Sequence, residues 1–361
     1  LRNFLLKINH EKLIKYILVN LFYSGVHPFA NKPGAFMTSQ AFWRKIQLGS
    51  FHDLEKLASF LELSEKDKLF LLNKPSFPLM LPLRLAEKIE KGTLLDPILR
   101  QFVPLEEELI LNEDFVNDPV GDSSFRKESK LIRKYNGRAL LVTSSACAIH
   151  CRYCFRKNFE YETKRKDFEP ELRILENDPS LSEIILSGGD PLSLSNEALE
   201  DLLKGIARIP HIKRIRFHTR FPVGIPERID PDLLFLFKEI PKQFFFIVHT
   251  NHPKELDEDL FYALKKIQKL GIPVLNQTVL LKGINDSFTT LQTLFSSLAD
   301  RGIIPYYLHR LDPVTGTTHF AVEKEKGKEL MRELAKVLSG YALPKYVEEI
   351  PGASSKTLIW H

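Results

Sequence analysis

Residues 139–154 read ALLVTSSACAIHCRYC. The first six, 139–144, are short and mostly apolar, which fits a strand buried in a sheet. They run almost directly into Cys147, Cys151 and Cys154, spaced C-x3-C-x2-C, with Tyr153 before the last cysteine. These are the 3 cysteines of the chain. An odd number so closely spaced excludes a disulfide framework. It reads as a metal or redox site in a reducing compartment, which predicts a cytoplasmic protein. Three thiolates on a short loop can wrap one face of a cubane iron–sulfur cluster, whose usual complement is four cysteines. With no fourth cysteine, one iron keeps an open coordination position, the mark of a reactive site. The competing reading is a structural zinc site that adds His150 to the thiols. His150 lies between two ligands, a poor placement for tetrahedral closure.

Strand-like runs recur downstream at 183–187 (EIILS), 214–219 (RIRFHT), 244–249 (FFFIVH), 274–281 (VLNQTVLL) and 305–310 (PYYLHR). Helical patterns accompany them near 169–177, 195–208, 231–239, 254–270, 287–300 and 323–338. After the first interval the strand starts fall about 30 residues apart, the repeat of a βα unit. Repeated units predict an α/β fold with a parallel sheet covered by helices. Six units are two short of a complete TIM barrel, so the expectation is a partial TIM-type barrel, (β/α)6, over residues 131–345. An open sheet of Rossmann type is the alternative, but no G-x-G-x-x-G follows a strand.

Upstream, residues 37–130 read as an α-helical N-terminal region. Leu54, Leu57, Phe60, Leu61, Leu69 and Leu72 recur at roughly helical spacing, and Pro75, Pro78 and Pro82 punctuate the stretch. Thr38 and Ser39 are placed to cap a helix containing Phe42, Trp43 and Ile46. No polar cluster in this region suggests chemistry. Residues 1–36 are basic and apolar, and Lys7, Glu11, Lys12 and Lys15 interrupt any signal-peptide core. They read as an upstream extension, with the native start at Met37; the alternative is a genuine extra helix.

The 361 residues are 43% hydrophobic and 27% charged, which excludes disorder as the main state. The 51 Lys and Arg against 46 Asp and Glu leave a net charge of +5, too little to announce a nucleic-acid protein. No apolar run reaches the ~18 residues of a membrane span.

The strand ends are polar: Ser187-Gly188-Gly189-Asp190, His218-Thr219-Arg220, His249-Thr250-Asn251-His252, Asn276-Gln277 and His309-Arg310-Leu311-Asp312. In β/α barrels the site lies at the C-terminal ends of the strands, so these tips are expected to face one common cavity. Near the C-terminus, residues 348–357 (EEIPGASSKT) put Lys356 on a loop of small residues that a bulky cofactor can approach. Lysine amines form Schiff bases with pyridoxal phosphate, although most loop lysines are solvated surface.

Together, the cysteine loop and the Gly-Gly-Asp tip of the next strand resemble the radical S-adenosylmethionine superfamily. The resemblance implies that Cys147, Cys151 and Cys154 bind a [4Fe-4S] cluster. Its open iron would hold S-adenosylmethionine and cleave it to a 5′-deoxyadenosyl radical. Ser187, Gly188, Gly189 and Asp190 match the motif that contacts the methionyl amino group; the glycines allow close approach and Asp190 can accept from an ammonium. Tyr153, His249 and Gln277 are further cofactor-binding candidates on the same ground.

The chain is similar, more narrowly, to the lysine 2,3-aminomutase family. The likeness runs from about Phe51 onward. It includes Asn276-Gln277-Thr278-Val279-Leu280-Leu281, Gly283, Asn285, Asp286, Pro305-Tyr306-Tyr307 and the Pro351-to-Lys356 spacing. It implies that Lys356 carries pyridoxal 5′-phosphate, with Tyr135 and Arg138 beside it and Arg138 on the phosphate. It assigns Arg156 to the substrate carboxylate, a task that suits a planar guanidinium. Asp312 and Glu349 match the two acids around the substrate's side-chain ammonium. Paired carboxylates favour lysine over glutamate.

Glu349, the Ser355-Lys356-Thr357 ending of the loop and the short stretch after it resemble the subgroup that makes (R)-β-lysine for elongation factor P. A partner ligase attaches the product there. The implied protein is an isomerase acting on L-lysine and fed by an electron donor such as flavodoxin or ferredoxin. Residues 346–361 would form its cofactor-lysine loop, and neither membrane nor nucleic acid would be a partner. The rivals are a catabolic lysine or glutamate 2,3-aminomutase, another radical enzyme such as an activase, and a non-catalytic metal-binding module that recognises RNA or a translation factor.

Overall fold

A computed structural model describes residues 39–360. The reading of residues 1–36 as an extension falls outside them, as does Thr38. The six expected strands form where the apolar runs lie: β3 (Arg138–Ser144), β4 (Glu183–Gly188), β5 (Arg214–Thr219), β6 (Gln243–His249), β7 (Val274–Val279) and β8 (Ile304–His309). Before them come the short β1 (Arg126–Glu128) and β2 (Leu131–Ile132). After them come β9 (Lys345–Glu348) and β10 (Thr357–Trp360). The sheet order follows the chain from β1 to β10. From β3 to β9 every pairing is parallel, so β9 adds a seventh parallel strand to the six read from the sequence. The edges are antiparallel: β1 and β2 on one side, and the β9–β10 hairpin on the other.

The connecting helices are Glu169–Glu176, Asn196–Ala207, Pro231–Glu239, Glu258–Gln268, Phe288–Ala299 and Lys324–Ala335. Ser195, Asp230, Asp257 and Ser287 start four of them by accepting from backbone N–H groups of the first turn. Helix faces such as Leu199, Leu202, Leu203 and Ile206 are buried against the outward residues of the strands, Ile184, Ile215 and Phe217 among them. The alternate strand residues point the other way and line a cavity of about 630 Å³, to which every strand from β2 to β10 contributes. Only a strongly curved sheet can do this, which makes the fold a partial barrel that β1 and β10 leave open.

The region before the sheet is helical, as expected, but in short pieces: Ser39–Leu48, Leu54–Phe60, Glu65–Lys68, Leu83–Ala86 and Pro97–Phe102. Its apolar residues join the core of the barrel. Trp43 packs edge-on against Phe221, just past the tip of β5, with ring centroids 5.3 Å apart. No helix among the described residues is long and apolar enough to cross a membrane.

Candidate active site

The cysteine loop is built by close backbone contact. The Gly189 N–H donates to Ser144 O (2.6 Å) and the Asp190 N–H to Ala146 O (2.8 Å), which ties the tip of β4 to the entry of the loop. A Cβ on Gly189 would overlap the Ala146 carbonyl, and Gly188 sits at φ 118°. The glycines are therefore required first by the loop itself. The thiols of Cys147, Cys151 and Cys154 all line the cavity. Burial pushes all three upward, Cys154 to about 11, so loading with metal must displace protons.

His150 does not join the thiols. Its Nδ1 meets Pro78 O at 2.8 Å, its ring stacks on Phe77, and it is not among the residues that line the cavity with the thiols. The loop is held from outside by Arg152. Arg152 is buried, donates twice to Glu108 (both 2.7 Å) and also donates to Phe77 O (2.7 Å).

Asp190 departs from expectation. Both of its oxygens are engaged within the protein, accepting from Thr219 Oγ1 (2.7 Å) and the N–H groups of Leu192 (3.0 Å), Arg220 (2.8 Å) and Phe221 (3.1 Å). It fastens the tip of β4 to that of β5 and has no oxygen left over for a ligand's ammonium. Burial still raises its carboxyl, to about 6. The Tyr153 hydroxyl accepts from Arg220, whose guanidinium also pairs with Glu255 and donates to Gln101 Oε1 (3.0 Å).

Lys356 opens on the same cavity. The β9–β10 hairpin, with Glu348 opposite Thr357, brings Lys356 Nζ to 2.6 Å from Glu349 Oε2. Glu349 Oε1 accepts from the Tyr135 hydroxyl (2.6 Å) and Lys134 Nζ (3.3 Å). Glu349 and Tyr135, which line the cavity, thus also belong to one hydrogen-bonded network around Lys356. That network extends to Asp122, which pairs with Lys134 Nζ (2.7 Å) and Arg156 Nε (2.8 Å). Arg156 also donates through Nη1 to Ser187 Oγ (3.2 Å). The neighbouring cations hold Asp122 below the usual carboxylate range in spite of its burial. Asp312 is pushed the other way, up to about 7, by burial and by Glu349, against the pull of Lys356.

The cofactor, substrate and cysteine residues assigned from the resemblance all line this one cavity, Arg138, His249 and Gln277 included; of the polar strand tips, Thr219, Thr250, His252, Asn276 and Arg310 do not, and Asn276 Oδ1 instead accepts from Thr250. The residues missed were partners. Asp122, Glu108 and Gln101 lie in irregular or helical stretches with no periodic signal. Arg216, on the inward face of β5, could have been found from the alternation of that strand. It pairs with Glu183 at 2.8 Å.

The Radical SAM superfamily model matches residues 141–292. The chain is 38% identical over 310 residues to an L-lysine 2,3-aminomutase of Escherichia coli (strain K12), covering 84% of this chain and 90% of that one. It is 40% identical over 286 residues to an L-lysine 2,3-aminomutase of Buchnera aphidicola subsp. Baizongia pistaciae, covering 78% and 84%.

The chain belongs to the lysine 2,3-aminomutase family.

It is thus a radical SAM isomerase of the aminomutase type, a class that works with a [4Fe-4S] cluster, S-adenosylmethionine and pyridoxal phosphate. Another relative, the L-lysine 2,3-aminomutase of Acetoanaerobium sticklandii, is 34% identical over 266 residues, covering 73% of this chain and 64% of that one. Among solved structures, Streptococcus suis SuiB bound to S-adenosylmethionine aligns with TM-score 0.45 and 15% identity over 60% of this chain and 51% of that one. The cavity of this aminomutase fits such groups in its own chemistry. It has three thiols on one wall and an amine on another. His249 Nε2 and Gln277 Oε1 are buried without a partner among the described residues, as polar atoms are where a ligand completes them.

Proposed function

We propose that the protein converts L-lysine to (R)-β-lysine, and that the product serves the β-lysylation of elongation factor P in the cytoplasm. The observation that carries this reading is that the cysteine loop, Lys356 and the acids Asp312 and Glu349 all open on one cavity. Cys147, Cys151 and Cys154 would hold the cluster. The backbone of Ser187, Gly188 and Gly189, with Tyr153, His249 and Gln277, would hold S-adenosylmethionine. Lys356, Tyr135 and Arg138 would hold pyridoxal phosphate. When bound, the cluster with S-adenosylmethionine supplies a hydrogen-abstracting radical, and pyridoxal phosphate supplies a conjugated system that spreads the unpaired electron while nitrogen moves between carbons.

The remaining work falls to side chains. Arg156, steadied by Asp122 at Nε, turns its Nη edge to the substrate carboxylate. Asp312 and Glu349 meet the cationic end of lysine and repel an anionic one. Glu349 Oε2 accepts from the free Lys356 Nζ, and would be open to a substrate ammonium once that amine carries the cofactor. Asp190 positions the cysteine loop instead of touching the cofactor. The Glu at 349 and the Ser-Lys-Thr ending support the elongation factor P branch, and flavodoxin or ferredoxin would feed the cluster.

Borohydride reduction of protein loaded with pyridoxal phosphate is expected to leave an adduct on the peptide containing Lys356. None is expected in Lys356→Ala, with iron and sulfide content unchanged. An adduct on another lysine contradicts the assignment. In cells, deletion of the gene should remove the β-lysyl mass from elongation factor P; an unaltered mass refutes that branch.

A further inference from the structure

Two histidines in the cavity have no role in the assignments above: His218 on β5 and His309 on β8. The Nε2 atoms of both are buried and have no hydrogen-bond partner among the described residues. Leaving such an atom unsatisfied costs about 1–3 kcal/mol, so two of them in one cavity mark places that a ligand completes. Both line the cavity that Lys356 enters, and His309 is placed near it by the strand pairing. The register pairs His309 with Val347, and Glu349, two residues further along the same inward face, holds Lys356 Nζ at 2.6 Å. The His218 ring lies edge-on to His249 at 5.6 Å, and that of His309 edge-on to Tyr307 at 5.3 Å. Burial keeps both imidazoles neutral, and the charge of Lys356 adds to this in each case.

A phosphate is matched by cations, and Arg138 and Arg216 supply them in the same cavity. The other polar atoms of a pyridoxal, its ring nitrogen and hydroxyl, can be met by neutral groups. An imidazole Nε2 can donate or accept according to tautomer. We propose that His218 and His309 are positioning residues for the pyridoxal ring carried by Lys356, each giving its Nε2 to a polar atom of that ring. The inference rests on the reading of Lys356 as the pyridoxal phosphate lysine.

The test uses the reconstituted full chain and the variants His218→Leu, His309→Leu, His218→Gln and His309→Gln. Leucine fills the space without a polar atom, whereas glutamine keeps one near the Nε2 position. Each leucine variant should bind pyridoxal phosphate about tenfold more weakly, the loss of one hydrogen bond, and each glutamine variant should recover most of that. The cofactor-free leucine variants should be as stable as the parent or more so, because an orphaned atom has been removed. A merely structural histidine would lower stability and affinity together, and that result overturns the proposal. So does unchanged affinity in both leucine variants when the parent carries its adduct on Lys356. If the parent itself forms no adduct there, the underlying reading of Lys356 fails first.

Discussion

Asp312 lines the cavity beside Lys356 and Glu349, and burial raises its carboxyl to about 7. It must be ionised to hold an ammonium, so lysine binding should strengthen as pH rises through about 7, read as the pH dependence of KM. The effect on stability has the opposite sign. Between the ordinary carboxylate range and about 7 the folded chain holds a proton that the unfolded chain has lost, so stability falls as pH rises across that window. Asp312→Asn should therefore raise the unfolding free energy at pH 8 by about 1–3 kcal/mol, while lysine turnover is lost. Urea denaturation at pH 5 and pH 8 checks this: the gain should be clearly larger at pH 8 than at pH 5. Asp312 and Glu349 could be picked out as a pair from the sequence, but their unequal roles could not. The 2.6 Å bond from Lys356 to Glu349 depends on how a hairpin turns, which residue types do not state.

Gly189 shows how tightly one strand tip sets the next loop. In Gly189→Ala the added methyl would meet the Ala146 carbonyl and push β4 away from the cysteine loop. We expect an overpacking cost of about 1–3 kcal/mol and a marked loss of iron after anaerobic reconstitution, measured by thermal unfolding and iron analysis. Full iron loading would show that the loop tolerates the shift. Strands β3 to β8 were legible because each is an apolar run that ends in polar residues. β9 and β10 were not, since four residues such as Lys345–Glu348 carry too little pattern to separate a strand from a loop. The role of Asp190 was hidden for a different reason. Its partners, Thr219, Arg220 and Phe221, lie about thirty residues further along the chain, and only the parallel pairing of β4 with β5 brings them to it.

The helical N-terminal region, whose sequence shows no polar cluster that suggests chemistry, is fastened directly to the cysteine loop. Glu108 takes both Arg152 (2.7 Å) and Lys157 (3.2 Å), while Gln101 O and Met80 O accept from the Arg152 and His150 N–H groups. Its apolar spacing announced helices, and nothing in that spacing announces what their polar residues will touch. Glu108→Ala leaves two buried cations without their partner and should cost about 3–5 kcal/mol in urea denaturation, with weakened cluster retention. A change under 1 kcal/mol would mean that the loop stands without this support. Barrel, cysteine loop and lysine hairpin converge on one cavity, and that convergence carries the proposal that the protein isomerises lysine. Its most direct test is an anaerobic assay of reconstituted protein with reductant, S-adenosylmethionine, pyridoxal phosphate and L-lysine, resolved by chiral chromatography. We predict (R)-β-lysine, formed only with S-adenosylmethionine and absent in Lys356→Ala. Protein that carries both cluster and pyridoxal phosphate yet yields no β-lysine would contradict it.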